Sequence, residues 1–251
     1  MKKSILQYAI EGKLVKQDPN DEPASVLLER IKAEKEKLIK EGKIKRDKNE
    51  SYIYQGDDKN YYEKINNQIL KLDLPFEIPS NWLWIRIQSL FDVVSASRVH
   101  QSDWKSEGIP FYRAREIGKL SDFGYVKNEL YISEDLYNKF SKNTWPTEND
   151  LMITAVGTLG KTYIVKKYDK FYYKDASVIS LKNKYNVNIK YIDFLFKSPY
   201  MIGQIKEKIA GTTVGTITIE KAQKYLIPFP SSNEQDRIID KINHLNILIN
   251  S

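Results

Sequence analysis

The chain is 251 residues long, carries 40 Lys and Arg against 33 Asp and Glu for a formal net charge of +7, and contains no cysteine. That length suits one substantial domain with extra elements or two small domains, and 41% apolar with 12% aromatic residues can fill a real core. The lack of thiols excludes disulfides, thiolate metal ligands and a cysteine nucleophile; no apolar run approaches the ~18 residues of a membrane span, and the charged start is no secretory signal. The composition therefore reads as a moderately basic, cytoplasmic protein. His100 and His244 stand far apart, without a second histidine one helical turn away, so no histidine metal site is expected.

Residues 1–11 form a short amphipathic pattern through Ile5, Leu6, Ala9 and Ile10, stopped by Gly12. A turn-rich stretch, Asp18-Pro19-Asn20-Asp21-Glu22-Pro23, then leads into a second helix over about 24–41, with Gly42 as its stop. The middle of that helix, Lys32 to Lys37, is mostly charge and belongs on a surface. Residues 1–46 thus read as an N-terminal helical region, and the polar, tyrosine-dotted 47–73 as a linker with at most short strands.

Strand-like runs follow at 84–87, 109–113, 151–156, 163–165 and 177–181, helical periodicity at 188–209, and further strand candidates at 217–219 and 225–230. This mixture predicts an α+β chain: one globular mixed α/β domain over 74–230, flanked by helices. Residues 231–251 form a helix opened by Ser232-Asn233-Glu234-Gln235, a capping-box pattern. Its apolar seam, Ile238, Ile242, Leu245 and Ile249, has the spacing of coiled-coil packing, widened by Ile239 and Leu248. A seam this short needs a partner: its own domain, the N-terminal helix or another chain.

The string Ala155-Val156-Gly157-Thr158-Leu159-Gly160-Lys161-Thr162 comes nearest to a nucleotide motif. Ala155 stands where the first glycine of a P-loop belongs, and a strand follows in place of a helix, so a hairpin or tight turn is expected. P-loop-like nucleotide binding through Gly157–Thr162, and a module binding only protein, remain the alternatives. No serine–histidine context, G-x-S-x-G elbow or Pro-Pro-Tyr methyltransferase motif occurs. Binding is favoured over catalysis. Arg98, Lys105, Arg113, Arg115, Lys119, Lys161, Lys166 and Lys167 fall in or beside expected turns, where they can meet phosphates and guanine edges. Thr158, Thr162, Thr212, Thr213 and Thr216 add hydroxyl donors beside glycines. The competing reading pairs Arg113 and Arg115 with neighbouring acids.

Several strings together resemble the specificity subunits of type I restriction–modification systems. They are Ser4 to Val15 with Asp18 to Ile31, Leu74-Pro75-Phe76-Glu77-Ile78-Pro79 with Trp82, Ile109 to Arg113 with Gly118, Asp150 to Ile153 through Gly160-Lys161, and Ile227 to Pro230 with Glu234-Gln235 and Ile238. The resemblance implies a non-catalytic chain with one target recognition domain over 74–230, reading one half-site of a bipartite target in double-stranded DNA. It further implies recruitment of methyltransferase and restriction subunits, on which S-adenosylmethionine, ATP and Mg would reside, with no cofactor in this chain. The chain looks like a half-sized or truncated subunit, joined to a second copy or another specificity chain through its terminal helices. The first residues expected on DNA are Arg113, Arg115, Lys161 and the Gly211-Thr212-Thr213 turn, with Arg98, Lys119, Thr158 and Thr216 beside them. Ser231-Ser232 replace the Pro-Leu often found before the family's Glu-Gln pair, and the last helix is much shorter than a full spacer.

Overall fold

The structure, a computed structural model, describes residues 2–44, 46, 50–140, 142–209 and 215–250. Helices α1 (Lys2–Ile10) and α2 (Ala24–Lys40) come first, then strands β1 (Ser51–Gln55), β2 (Tyr61–Ile65), β3 (Gln68–Leu72) and β4 (Leu83–Arg86), and the one-turn α3 (Ile87–Leu90). Next are β5 (Asp92–Ser95), β6 (Ile109–Tyr112), α4 (Ala114–Phe123), β7 (Tyr131–Ile132), α5 (Glu134–Lys139), β8 (Leu151–Thr154) and β9 (Thr162–Ile164). β10 (Tyr172–Tyr173), β11 (Val178–Lys182), α6 (Ile189–Phe196), α7 (Pro199–Ile209), α8 (Ile219–Gln223), β12 (Leu226–Phe229) and α9 (Ser232–Asn250) complete the α+β chain. These elements fall into two compact units, residues 1–90 with 224–251, and residues 91–223.

In the first unit β1, β2 and β3 make an antiparallel meander, and β12 pairs antiparallel with β4. The meander occupies the stretch expected to be a linker. Its first turn is shaped by the Asp58 carboxylate, which accepts the Asn60 amide at 3.0 Å, and its second by Asn66, at φ 53°. Glu63 hides the strand alternation: it takes a buried position because the Arg86 guanidinium donates to its carboxylate. The stacked rings of Tyr52, Tyr54 and Tyr62 cover the other face.

The last helix of this unit begins one residue differently from the expected capping box. Ser231 is the cap: its hydroxyl accepts the Glu234 amide at 3.2 Å, while the Gln235 side chain donates to the Pro230 carbonyl. The turn-rich loop after α1 is tied to the same place, because the Asp21 carboxylate takes both outer nitrogens of Arg237. α1 packs on α9. Ile238 and Ile242 are buried within the unit, so of the partners open to the seam it is their own unit that covers these two residues. Leu245 and Ile249 are half-buried, whereas Ile247 and Leu248 are exposed.

The second unit contains a four-stranded antiparallel sheet in the order β5-β11-β8-β9 and a three-stranded sheet in the order β10-β6-β7, with β10 parallel to β6. Ile117 and Leu120 of α4 pack with Met152, Tyr163, Val165, Phe171, Tyr173 and Val178 into one core cluster. Asp150 organises the start of β8. Its carboxylate accepts the amides of Thr147 and Asn183 and is paired with the buried Lys182 ammonium, which makes it a determinant of the fold.

Two expectations change here. The periodic stretch 188–209 is broken into two helices at Ser198, whose hydroxyl donates to the Leu195 carbonyl and accepts the Met201 amide, with Pro199 opening α7. The candidate strand at 217–219 is absent: Thr218 accepts the Lys221 amide at 3.2 Å and caps α8 instead. Residues 155–161 are the hairpin turn between β8 and β9, with Gly157 at φ 68° and Gly160 at φ 75°, and Thr162 opens β9. The Thr154 hydroxyl bonds to both the Thr158 carbonyl and the Lys161 amide, so side chain fills the loop, and no helix follows it. This turn lacks the helix N-terminus on which P-loop nucleotide binding depends.

Candidate nucleic-acid interface

The basic residues expected on DNA converge on α4. β6 ends at Tyr112, Arg113 is the cap residue of α4, and Glu116 reaches back from the first turn. One Glu116 oxygen accepts the Arg113 amide at 2.9 Å and its Nε at 3.1 Å; the other accepts Arg113 Nη2 at 2.9 Å and Arg115 Nε at 2.8 Å. Glu116 is 2% exposed. Burial alone would push its carboxyl up, but the Arg113 side chain and amide and the Arg115 guanidinium outweigh that and hold it at about 2.

Glu129 completes the cluster from outside. It is paired with Arg115 and lies 3.7 Å from Arg113. The Arg115 hydrogen bond, with the nearby Lys119 charge adding to it, lowers the Glu129 carboxyl against a desolvation penalty. At the far end of the helix Asp122 pairs with Lys161 from the β8–β9 turn. The fold thus gathers Arg113, Arg115, Lys119 and Lys161 along a single helix, with three acids interleaved.

The remaining expected residues are dispersed. Arg98 follows β5, the sheet edge opposite β9, and donates from Nε to Asp175 at 3.0 Å. Thr158 is exposed in the β8–β9 turn. Thr216 is half-buried, its carbonyl 3.4 Å from Lys221 Nζ. Gly211, Thr212 and Thr213 lie outside the described residues. Arg113 and Arg115 therefore have the acid partners of the competing reading, and Arg115 lies within α4 in place of the expected turn.

The acids set the geometry of the cations. A guanidinium held by two carboxylates keeps a fixed fork, and an exposed carboxylate such as Glu129 can yield its place to a phosphate. Several exposed aromatics were not singled out in the sequence. Phe123 and Tyr125, 68% and 74% exposed, flank Gly124, the left-handed cap that ends α4, with ring centroids 6.5 Å apart. Tyr168, 87% exposed, carries Lys167 5.6 Å from its ring centre in the turn after β9. The signal that could have found Phe123 and Tyr125 was the F-G-Y string at a helix stop, legible only once α4 itself is recognised. Among the described residues no cluster of three or more His, Asp or Glu could hold a metal, and no helix is long and apolar enough to cross a membrane.

A family model described as "Type I restriction modification DNA specificity domain" matches residues 79–250. Over 98% of its length the chain is 32% identical to the type I restriction enzyme EcoAI specificity subunit of Escherichia coli, and over 99% it is 29% identical to the EcoEI specificity subunit of the same organism. It spans 39% of the length of each. The fold resembles the solved HsdS subunit from Thermoanaerobacter tengcongensis, with a TM-score of 0.52 and 16% identity over 70% of this chain and 40% of that one. It also resembles a chain in a study of complex assembly and conformational transition of the type I R-M system, with a TM-score of 0.54 and 17% identity over the same shares.

Proposed function

The chain belongs to the family of type I restriction modification DNA specificity domains, and from that premise we propose that residues 91–223 read one half-site of a bipartite DNA target. The observation that carries this reading is the gathering of Arg113, Arg115, Lys119 and Lys161 along α4, with Arg113 and Arg115 held by Glu116. Two fixed guanidinium forks suit guanine O6 and N7, where a bidentate contact discriminates by about 1–3 kcal/mol. Lys119 and Lys161 supply phosphate contacts that set register.

In this proposal the chain does no chemistry. Methyl transfer and cleavage belong to methyltransferase and restriction subunits that it recruits, and S-adenosylmethionine, ATP and Mg sit on those partners in the cytoplasm. A second copy, or another specificity chain, supplies the other half-site. The exposed Ile247 near the end of α9, rather than the buried Ile238 and Ile242, is an apolar residue on which that contact can form.

Selection from a random duplex library tests the reading. The chain is expected to return one short motif, with affinity falling steeply with salt, about 0.9 in log–log slope per neutralised phosphate. Arg113→Ala with Arg115→Ala is expected to relax the motif at one or two positions. Random sequences from the wild-type pool would refute the proposal.

A further inference from the structure

Helix α4 buries Glu116, Ile117 and Leu120 against the sheet. Arg115, Gly118, Lys119 and Asp122 recur at i, i+3, i+4 and i+7, and so form one stripe on the side facing away from that core. A glycine inside a helix weakens it relative to alanine, so an internal glycine calls for a reason. Neither usual reason applies to Gly118. A Cβ built there meets nothing within 4 Å, and its φ is not positive. The protein itself does not need this glycine.

What remains is a surface that must come close from outside. The positions around Gly118 are charged: Arg115 and Lys119 are cations, and Asp122 is neutralised by Lys161. The core of a protein–protein contact is depleted of charge, so a docked helix fits poorly over such a stripe. A duplex fits well, because it offers a polyanionic rim and a major groove about 12 Å wide that admits a helix.

We propose that the stripe Arg115-Gly118-Lys119-Asp122 is the face of α4 that enters the DNA groove, and that Gly118 marks the closest approach of helix backbone to DNA. This rests on the reading of residues 91–223 as a DNA reader and adds which element enters and why its middle has no side chain. On binding, phosphate or a base edge displaces Glu129 from Arg115 while buried Glu116 keeps hold of both guanidinium groups.

Two internal glycines make the test decisive. Gly203 in α7 also has nothing within 4 Å of a built Cβ, but Lys206 and Glu207 at i+3 and i+4 cancel in charge. Gly118→Ala and Gly203→Ala in the full chain are compared with wild type for melting temperature and for anisotropy on the duplex selected by the wild-type chain. Both are expected to melt a few degrees higher, from the helix preference of alanine. Gly118→Ala is expected to bind that duplex at least tenfold more weakly, and Gly203→Ala equally well. A stabilised Gly118→Ala that binds like wild type overturns the inference while leaving the DNA reading intact. A lowered melting temperature for Gly118→Ala also overturns it, by showing that the fold needs the glycine. Failure of the wild-type chain to select any motif defeats the underlying reading and the inference with it.

Discussion

Glu116 in the second unit and Glu234 in the first stand at the same place in a helix, three residues past the cap, and both are almost fully buried. Their surroundings differ. Glu116 faces the guanidinium groups of Arg113 and Arg115, which outweigh the cost of burial and pull its carboxyl down to about 2. Glu234 accepts from neutral donors, Trp82 Nε1 at 2.7 Å and the Gln17 side-chain amide, and burial pushes its carboxyl up. The same helix position thus carries an electrostatic site on α4 and, on α9, a staple made with uncharged donors. The staple joins residues 17, 82 and 234 of one unit; the site fixes two cations on an exposed helix.

The most severe change expected in the stapled unit is Ile242→Asp. It buries a charge among apolar side chains at a position 1% exposed, and a loss of about 4 kcal/mol in urea unfolding is expected. Leu248→Asp, at an exposed position of the same helix, should change stability by less than about 0.5 kcal/mol.

Next in size is the exchange of the two acids for amides. Glu116→Gln is expected to cost about 3 kcal/mol at neutral pH, the worth of holding its carboxyl from its ordinary 4.5 down to about 2. Glu234→Gln should cost less than about 1 kcal/mol, because an amide oxygen still accepts from Trp82 and no charge has to be buried. Equal losses for the two would erase the distinction drawn above.

The pH dependence should carry opposite signs. Glu116 has a lowered carboxyl, so its stabilisation is complete above its ordinary 4.5 and disappears as pH falls towards about 2. Glu234 has a raised one, so its charged form is disfavoured in the folded chain, and stability declines as pH climbs above 4.5. Urea midpoints measured across this range should lose the acid limb in Glu116→Gln and the opposing decline in Glu234→Gln.

The smallest stability effect belongs to Phe123→Ala and Tyr125→Ala, each within about 0.5 kcal/mol because both rings are mainly in solvent. If the end of α4 lies on DNA, the pair should still weaken binding, and by an amount that does not vary with salt, since no phosphate charge is involved. Anisotropy titrations at two salt concentrations check this.

Much of the frame was legible in the residues. The two helices before Gly42, the strands near 84, 109, 151, 163, 178 and 226, and the last helix follow from period and punctuation. The short strands allowed at 51–72 could not be read as a paired meander because Glu63 breaks the alternation, and only the long-range partner Arg86 makes that position buryable. α4 was missed because Arg, Glu, Gly, Lys and Asp dilute its apolar face to Ile117 and Leu120. Without α4, the arginines at 113 and 115 could not be seen to share one carboxylate, nor Lys161 to meet Asp122 from 39 positions away.

Local chemistry was enough to specify the mixed helix and strand content, the hairpin at 155–162 and the basic character of the middle of the chain, because backbone preference and short-range capping act within a few residues. Long-range packing alone decided which acid faces which base, and whether an apolar seam turns to its own unit or outward. Burial and charge pairing depend on distance in space, and residues such as Gln17, Trp82 and Glu234 become neighbours only when the chain has closed around them.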